Sequence, residues 1–159
     1  MEDSAPAPDL ERALAYAHRA IGRREHTVAE IRALLDRRGV EEQVSETAIG
    51  DLLASGLLDD ARFARRFASD KRDLDLWGPR RIATELGRRG VGGSEISAVV
   101  GDTGRDDELE SALILLDRRM PGPPRDDRER DRAWRLLVRR GYEPELAYEA
   151  VRRHEHAGR

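Results

Sequence analysis

Cysteine is missing from all 159 residues. Disulfides, thiolate metal sites and a cysteine nucleophile are therefore excluded, and the chain suits a reducing compartment. Aromatic residues make up only 4%, so an aromatic platform for stacking nucleic-acid bases is not expected. No apolar run approaches the ~18 residues of a membrane span. The opening Met1-Glu2-Asp3-Ser4-Ala5-Pro6-Ala7-Pro8 is acidic and has no apolar stretch, so it does not read as a secretion signal. A Gly-x-x-x-x-Gly-Lys-Ser/Thr phosphate loop is also lacking. Gly90-Val91-Gly92-Gly93 resembles half of a dinucleotide fingerprint, but Glu95 stands at the third glycine position and no strand precedes it.

Charge is abundant instead. There are 29 basic and 32 acidic residues, 38% of the chain, with a net charge of −3. Lysine contributes once, as Lys71. So small a net charge opposes a self-repelling disordered chain. Both signs intermixed at this density suit helices whose outer faces carry ion pairs.

The strongest signal is an internal repeat. Arg37-Arg38-Gly39-Val40 returns as Arg88-Arg89-Gly90-Val91 and as Arg139-Arg140-Gly141-Tyr142, each glycine 51 residues from the next. Apolar positions keep the register: Ile31, Ile82 and Ala133; Leu35, Leu86 and Leu137; Ala48, Val99 and Ala150. The period predicts three units of three helices, an all-α, solenoid-like module. Its bounds are a disordered tail over 1–8 and repeats over 9–58, 59–104 and 105–159.

Local signals place the helices. Val28, Ile31, Leu34 and Leu35 make one amphipathic face. Thr27 and Glu30 have the spacing of a capping box, and Gly39 follows the last turn. Gly78-Pro79 reads as an N-cap followed by proline at the first helical position. Val44, Ala48, Ile49, Leu52 and Leu53 predict the buried face of the third helix. The leading helices are expected over 9–23, 60–74 and 106–119. Pro121-Gly122-Pro123-Pro124 reads as a stiff non-helical connection within the third unit. Phe63, Phe67 and Trp134 read as core, Trp77 as a staple at a helix start, and Tyr148 as exposed. A unit of ~50 residues has a small core, so neighbouring units are expected to pack on one another.

Candidate chemistry is sparse. His18, His26, His154 and His156 read as surface residues, the last two pointing apart on a helix. Asp59-Asp60 and Asp106-Asp107 fall at helix starts, where capping and the helix dipole explain them. No catalytic, cofactor or metal site is expected, and the chain does not read as an enzyme. The arginine pairs admit two readings. They stabilise helix C-termini, or they face an acidic partner or phosphates. Arg80-Arg81 favour contact, because cations at a helix start oppose the dipole. Lys71 and Arg72 lie in a stretch interleaved with Asp70, Asp73 and Asp75. A helix-turn-helix DNA reader is opposed by Glu41, Glu42 and Glu46, and by Glu143, Glu145 and Glu149, on the would-be recognition helices. Residues 127–159 nevertheless hold nine arginines against seven acids.

Several segments resemble one family. Arg24-Glu25-His26-Thr27-Val28-Ala29-Glu30-Ile31, Gly56-Leu57-Leu58-Asp59-Asp60-Ala61-Arg62-Phe63-Ala64, Gly78-Pro79-Arg80-Arg81-Ile82-Ala83-Thr84-Glu85-Leu86 and Arg139-Arg140-Gly141-Tyr142 are similar to successive segments of the RecX family. The likeness runs from about Leu10 to about Arg153. It implies a bacterial, cytoplasmic, elongated and curved module of three three-helix repeats, monomeric and non-enzymatic, that regulates the recombinase RecA. Such a module would lie in the groove of the RecA filament on single-stranded DNA and inhibit ATP hydrolysis, strand exchange and filament growth, with consequences for recombination, DNA repair and the SOS response. Single-stranded DNA would be a weak second ligand. Partner-facing candidates are Arg37, Arg38, Lys71, Arg72, Arg80, Arg81, Arg88, Arg89, Arg139 and Arg140. The chain departs from the family pattern in its mild acidity and in Asp73-Leu74-Asp75-Leu76-Trp77, where basic residues are expected. Both departures count against direct DNA contact more than against RecA contact. The other readings are a helical-repeat adaptor for a different protein and a weak DNA-binding module.

Overall fold

The computed structural model describes residues 8–157. Nine helices and no strand occur among them. Unit 1 comprises α1 (Pro8–Ile21), α2 (Val28–Arg37) and α3 (Glu42–Ala54). Unit 2 comprises α4 (Asp60–Asp73), α5 (Pro79–Arg88) and α6 (Gly93–Gly101). Unit 3 comprises α7 (Arg105–Arg119), α8 (Asp127–Arg139) and α9 (Pro144–Ala157). The expected tail over 1–8 falls outside the described residues, apart from Pro8, which opens α1. The Pro-Gly-Pro-Pro stretch joins α7 to α8 without helix, as expected.

Each unit closes its own core. In unit 1, Ile31 and Leu35 of α2 meet Ala13, Ala17, Ala48, Ile49 and Leu52. Unit 2 uses Phe63, Ala64, Ala68, Ile82, Leu86, Val91 and Val99. Unit 3 uses Leu109, Leu116, Ala133, Leu137, Tyr142 and Leu146, among others. The middle helix ends the same way every time. Gly39, Gly90 and Gly141 have φ of 71°, 81° and 95°, left-handed conformations that favour glycine. The amides of Val40, Val91 and Tyr142 then reach back to the carbonyls of Leu35, Leu86 and Leu137 at 3.0, 3.1 and 3.2 Å. The repeated Arg-Arg-Gly is thus a helix stop, with the second arginine as C-cap in each unit.

The same turn joins the units. The unit 2 turn seats on the start of α2, where the Thr27 hydroxyl donates to the Arg89 carbonyl at 2.6 Å. Thr27 is completely buried. It also completes the expected capping box with Glu30. The unit 3 turn seats at the equivalent place on α5, 51 residues along. There the amide of Gly78 donates to the Arg140 carbonyl at 2.7 Å, and that of Arg80 to the Gly141 carbonyl at 3.0 Å. A Cβ on Gly78 would lie 2.4 Å from the Gly141 carbonyl carbon, and one on Gly90 would lie 2.3 Å from the Ala29 Cβ. The backbones meet because both sides are small.

Leu76 reinforces the second junction. It comes from the loop before α5, yet it packs in the core of unit 3. Its φ of 52° is left-handed for a residue with a branched side chain, a conformation that costs on the order of 1 kcal/mol. The Tyr142 hydroxyl donates to its carbonyl at 3.0 Å, and burial of the Leu76 side chain offsets the backbone cost. Burial pushes the Tyr142 phenol well above its ordinary pKa, assisted by Glu108 and opposed by Arg140, so it stays protonated as a donor.

Two sequence expectations need correction. Leu53 is 47% exposed. The inward face of α3 is Ser45, Ala48, Ile49 and Leu52, and Leu53 lies about 100° further round the helix. His154 is buried, not on the surface. The apolar face of α9 continues one turn beyond Val151 and carries His154 inward. There Nδ1 lies 3.0 Å from Asp117 and Nε2 lies 3.2 Å from the Gly122 carbonyl of the proline-rich connection.

The Gly78 seat yields a stability prediction. Its φ of −78° is open to any residue, so alanine adds a methyl group without backbone strain. Gly78→Ala is expected to lower unfolding free energy by about 1–3 kcal/mol through overpacking. Gly93→Ala, into open space at a helix start, is expected to be neutral or to stabilise by up to about 1 kcal/mol. Urea unfolding of the two variants decides. Equal small effects would mean that the turn is not tightly seated.

Candidate partner-binding surface

The most concentrated group of exposed and half-buried functional side chains lies on unit 2. Phe63, Phe67 and Lys71 are spaced four apart on α4, so they form one stripe. Arg81, Glu85 and Arg89 repeat that spacing along α5. Trp77 sits in the loop between the helices. The rings of Phe63 and Phe67 are 6.1 Å apart and stacked, and Trp77 meets Phe67 edge-on at 6.3 Å. Cations cover them. Arg89 is 4.5 Å from the Phe63 centroid, Lys71 is 4.8 Å from Trp77, and Arg81 is 4.1 Å from Trp77. Each such contact contributes roughly 0.5–1 kcal/mol when exposed. Rings and cations alternate across the face. Beside it runs a groove of about 610 Å³, where Arg24, Glu25 and Glu30 of unit 1 face Arg66, Phe67 and Asp70 of unit 2.

The structure engages most of the expected partner-facing cations within the chain. Arg89 forms a two-pronged pair with Glu30 at 2.8 and 3.2 Å, joining units 1 and 2. Arg140 donates to the Asp75 carbonyl at 2.8 Å. Arg80 pairs with Glu143 across units 2 and 3 at 3.0 Å, and Arg88 pairs with Glu85. Arg72 donates to the Val99 carbonyl. Lys71 pairs with Asp75, and Arg38 lies over Tyr16. Arg81 is exposed, its guanidinium over the Trp77 ring and without an ion pair to a described residue. Arg37 and Arg139 are exposed, and neither has an ion pair or hydrogen bond with a described residue. Two roles thus separate: C-caps Arg89 and Arg140 bind units together, while Arg37, Arg81 and Arg139 face outward.

Sequence reasoning missed the aromatic part of this face. Phe67 read as core, yet it is half-buried and shares its surface with Trp77. The four-residue spacing to Lys71 was visible; the approach of Trp77 and Arg81 depends on the left-handed Leu76 and had no local signal. Among the described residues no cluster of His, Asp and Glu could hold a metal ion. None of their helices is long and apolar enough to cross a membrane.

The architecture defines a class, an all-α helical-repeat protein built of three three-helix units. Comparison with known proteins narrows it. Models of the first, second and third three-helix domains of RecX match residues 13–52, 59–100 and 106–151, in that order. The regulatory protein RecX of Xanthomonas campestris is 35% identical over 150 residues, covering 90% of this chain and 91% of the relative. That of Halorhodospira halophila is 39% identical over 127 residues, covering 79% of this chain and 78% of the relative. The crystal structure of RecX from Lactobacillus salivarius shares the fold at a TM-score of 0.83 and 15% identity, with 94% of this chain and 99% of that one covered. The chain belongs to the RecX family of regulatory proteins.

Glu30 supplies a pH test of the first junction. Desolvation raises its pKa, but the Arg89 hydrogen bond, the Thr27 amide and the charges of Arg89 and Arg24 outweigh it, holding the carboxyl below its ordinary 4.5. Folding therefore favours the ionised form. Its contribution is complete above about pH 4.5 and is lost as pH falls through the depressed folded value. As pH falls below about 4.5, wild type is expected to lose stability more steeply than Glu30→Gln does. Parallel pH profiles from thermal melts would show that the pair does not support the junction.

Proposed function

We propose that this chain regulates the recombinase RecA by binding it, or its filament on single-stranded DNA, and lowering ATP hydrolysis, strand exchange and filament growth. It acts in the cytoplasm, as a monomer and without chemistry of its own, and so modulates recombination, DNA repair and the SOS response. Membership of the RecX family supports this reading. The observation that carries it is the outward face of unit 2, where Arg81 and Lys71 stand over Trp77 in the middle of a row of three family domains. Arginine and tryptophan are the residue types that most often anchor protein interfaces. A row of units also suits a helical polymer. Several weak contacts made at once with neighbouring subunits gain by effective concentration rather than by any single strong site.

The test is ATP hydrolysis by the cognate RecA on single-stranded DNA during titration with this protein. Arg81 is exposed in the first turn of α5, where a carboxylate suits the helix dipole, so Arg81→Glu is expected to fold. The variant is expected to need at least about tenfold more protein for equal inhibition, a loss of about 1.4 kcal/mol. Unchanged inhibition by the folded variant would remove unit 2 from the contact. No inhibition by the wild type would overturn the RecA reading.

A further inference from the structure

The middle helix of unit 3 departs from its counterparts. By the 51-residue register α8 would begin at residue 130, the counterpart of Pro79 in α5, but it begins at Asp127. The added turn is held by the Asp126 side chain, which accepts from the Glu129 amide at 2.8 Å. This longer helix carries Arg128, Arg132, Arg135 and Arg139 at four-, three- and four-residue spacing, all exposed. At 100° per residue these positions fall within about 60° of one another around the helix, and they extend about 16 Å along it. They form one row.

The acids of α8 pair with one arginine of that row and leave the other three without an ion pair. Asp127 pairs with Arg130 on another face. Glu129 is engaged chiefly by the Arg125 side chain and amide, which hold its carboxyl down to about 2, and the charge of Arg132 adds to this. Asp131 pairs with Arg135 at 3.0 Å. Arg128, Arg132 and Arg139 have no ion pair with any described residue. Two shallow grooves border the row and meet at Arg132 and Glu129. One runs along α8 past Arg128 and Arg139, and the other passes Arg119, Arg125 and the Pro121–Pro123 connection.

We infer that the outer face of α8 is a binding site for the phosphodiester backbone of a nucleic-acid strand, separate from the unit 2 face. Guanidinium groups suit phosphate because they offer paired donors and keep their charge at any physiological pH. A strand carries one phosphate per 3.4 Å of duplex rise, so a ~16 Å row faces several consecutive phosphates. The row has no aromatic ring for a base, so it reads backbone charge and not sequence. The net charge of −3 makes the contact local and sensitive to salt. This site requires no recombinase.

Fluorescence anisotropy of labelled oligo(dT), titrated with the full chain alone over a series of salt concentrations, tests it. Three or four phosphate contacts predict a log–log salt slope of about −2 to −3 for a single strand. The triple variant Arg128→Gln, Arg132→Gln, Arg139→Gln keeps near-equal helix propensity. It is expected to bind at least tenfold more weakly at low salt, with a slope about 2 smaller in magnitude. Arg81→Glu is expected to leave oligo(dT) binding intact, so this result stands apart from the recombinase assay. Should the triple variant lose helical circular dichroism, Arg132→Gln alone carries the test, with a slope change of about 0.7. Undiminished binding by the folded variant would overturn the site, as would absence of wild-type binding at low salt. Tighter binding of poly-glutamate, lost in the variant while oligo(dT) binding persists, would also overturn it and assign the row to an acidic protein segment.

Discussion

The row of units depends on one backbone contact. A left-handed glycine turn that ends the middle helix of a unit sits against the first turn of the middle helix before it. Three small cores cannot otherwise become one body, because each buries too little surface to stand securely alone. The contact needs glycine twice over. Gly141 needs it for a φ of 95° and for its approach to Arg81, whose amide nitrogen would lie 2.4 Å from an added Cβ. At the second junction the amides of Gly78 and Arg80 meet the carbonyls of Arg140 and Gly141, and at the first the Thr27 hydroxyl donates to the Arg89 carbonyl, so each junction satisfies groups that helix ends would otherwise leave bare. The ends of the row differ. A Cβ on Gly39, in the turn of unit 1, would meet open space. The start of α8 is closed by the Asp126 side chain instead of by a glycine turn.

Charge density takes its meaning from this frame. Three arginines join neighbouring units: Arg89 to Glu30, Arg140 to Asp75, Arg80 to Glu143. Exposed ion pairs contribute little stability singly, and their main effect is to cancel the local field. Cations without an ion pair to a described residue include three that lie together on the outer face of α8, Arg128, Arg132 and Arg139. A protein with net charge −3 can thus present cationic surface in one unit and a cation–aromatic face in another. The two faces suit different ligands, the first a strand of phosphates and the second a protein.

The fold was legible wherever its determinants are local. The Arg-Arg-Gly period, the Thr27–Glu30 capping box and the Gly78-Pro79 start each act within a few residues, and all appear as expected. Surface placement was legible only in part. Arg89 and Arg140 look alike in sequence to Arg38, yet their partners lie 59 and 65 residues away, and no spacing rule reaches that far. Leu76 sits in an acidic stretch that departs from the family pattern, and nothing nearby marks it for the core of the next unit. His154 escaped because a histidine after an apolar stripe reads as the start of a solvated end. The α8 row is a contrary case. Its spacing was fully visible, but counting arginines against acids over 127–159 averaged away a face on which the acids are already paired.

The glycine turns lock the units into one body, and the amides that cross the second junction report on it directly. The N–H groups of Gly78 and Arg80 donate to carbonyls of unit 3, not to any group within unit 2. Native-state hydrogen exchange followed by NMR measures their opening. The account predicts protection of both amides comparable to that of core amides in α5 and α8, because opening them requires the units to part. Exchange of Gly78 and Arg80 at the rate of exposed loop amides, while both cores stay protected, would contradict it and leave three units that move independently.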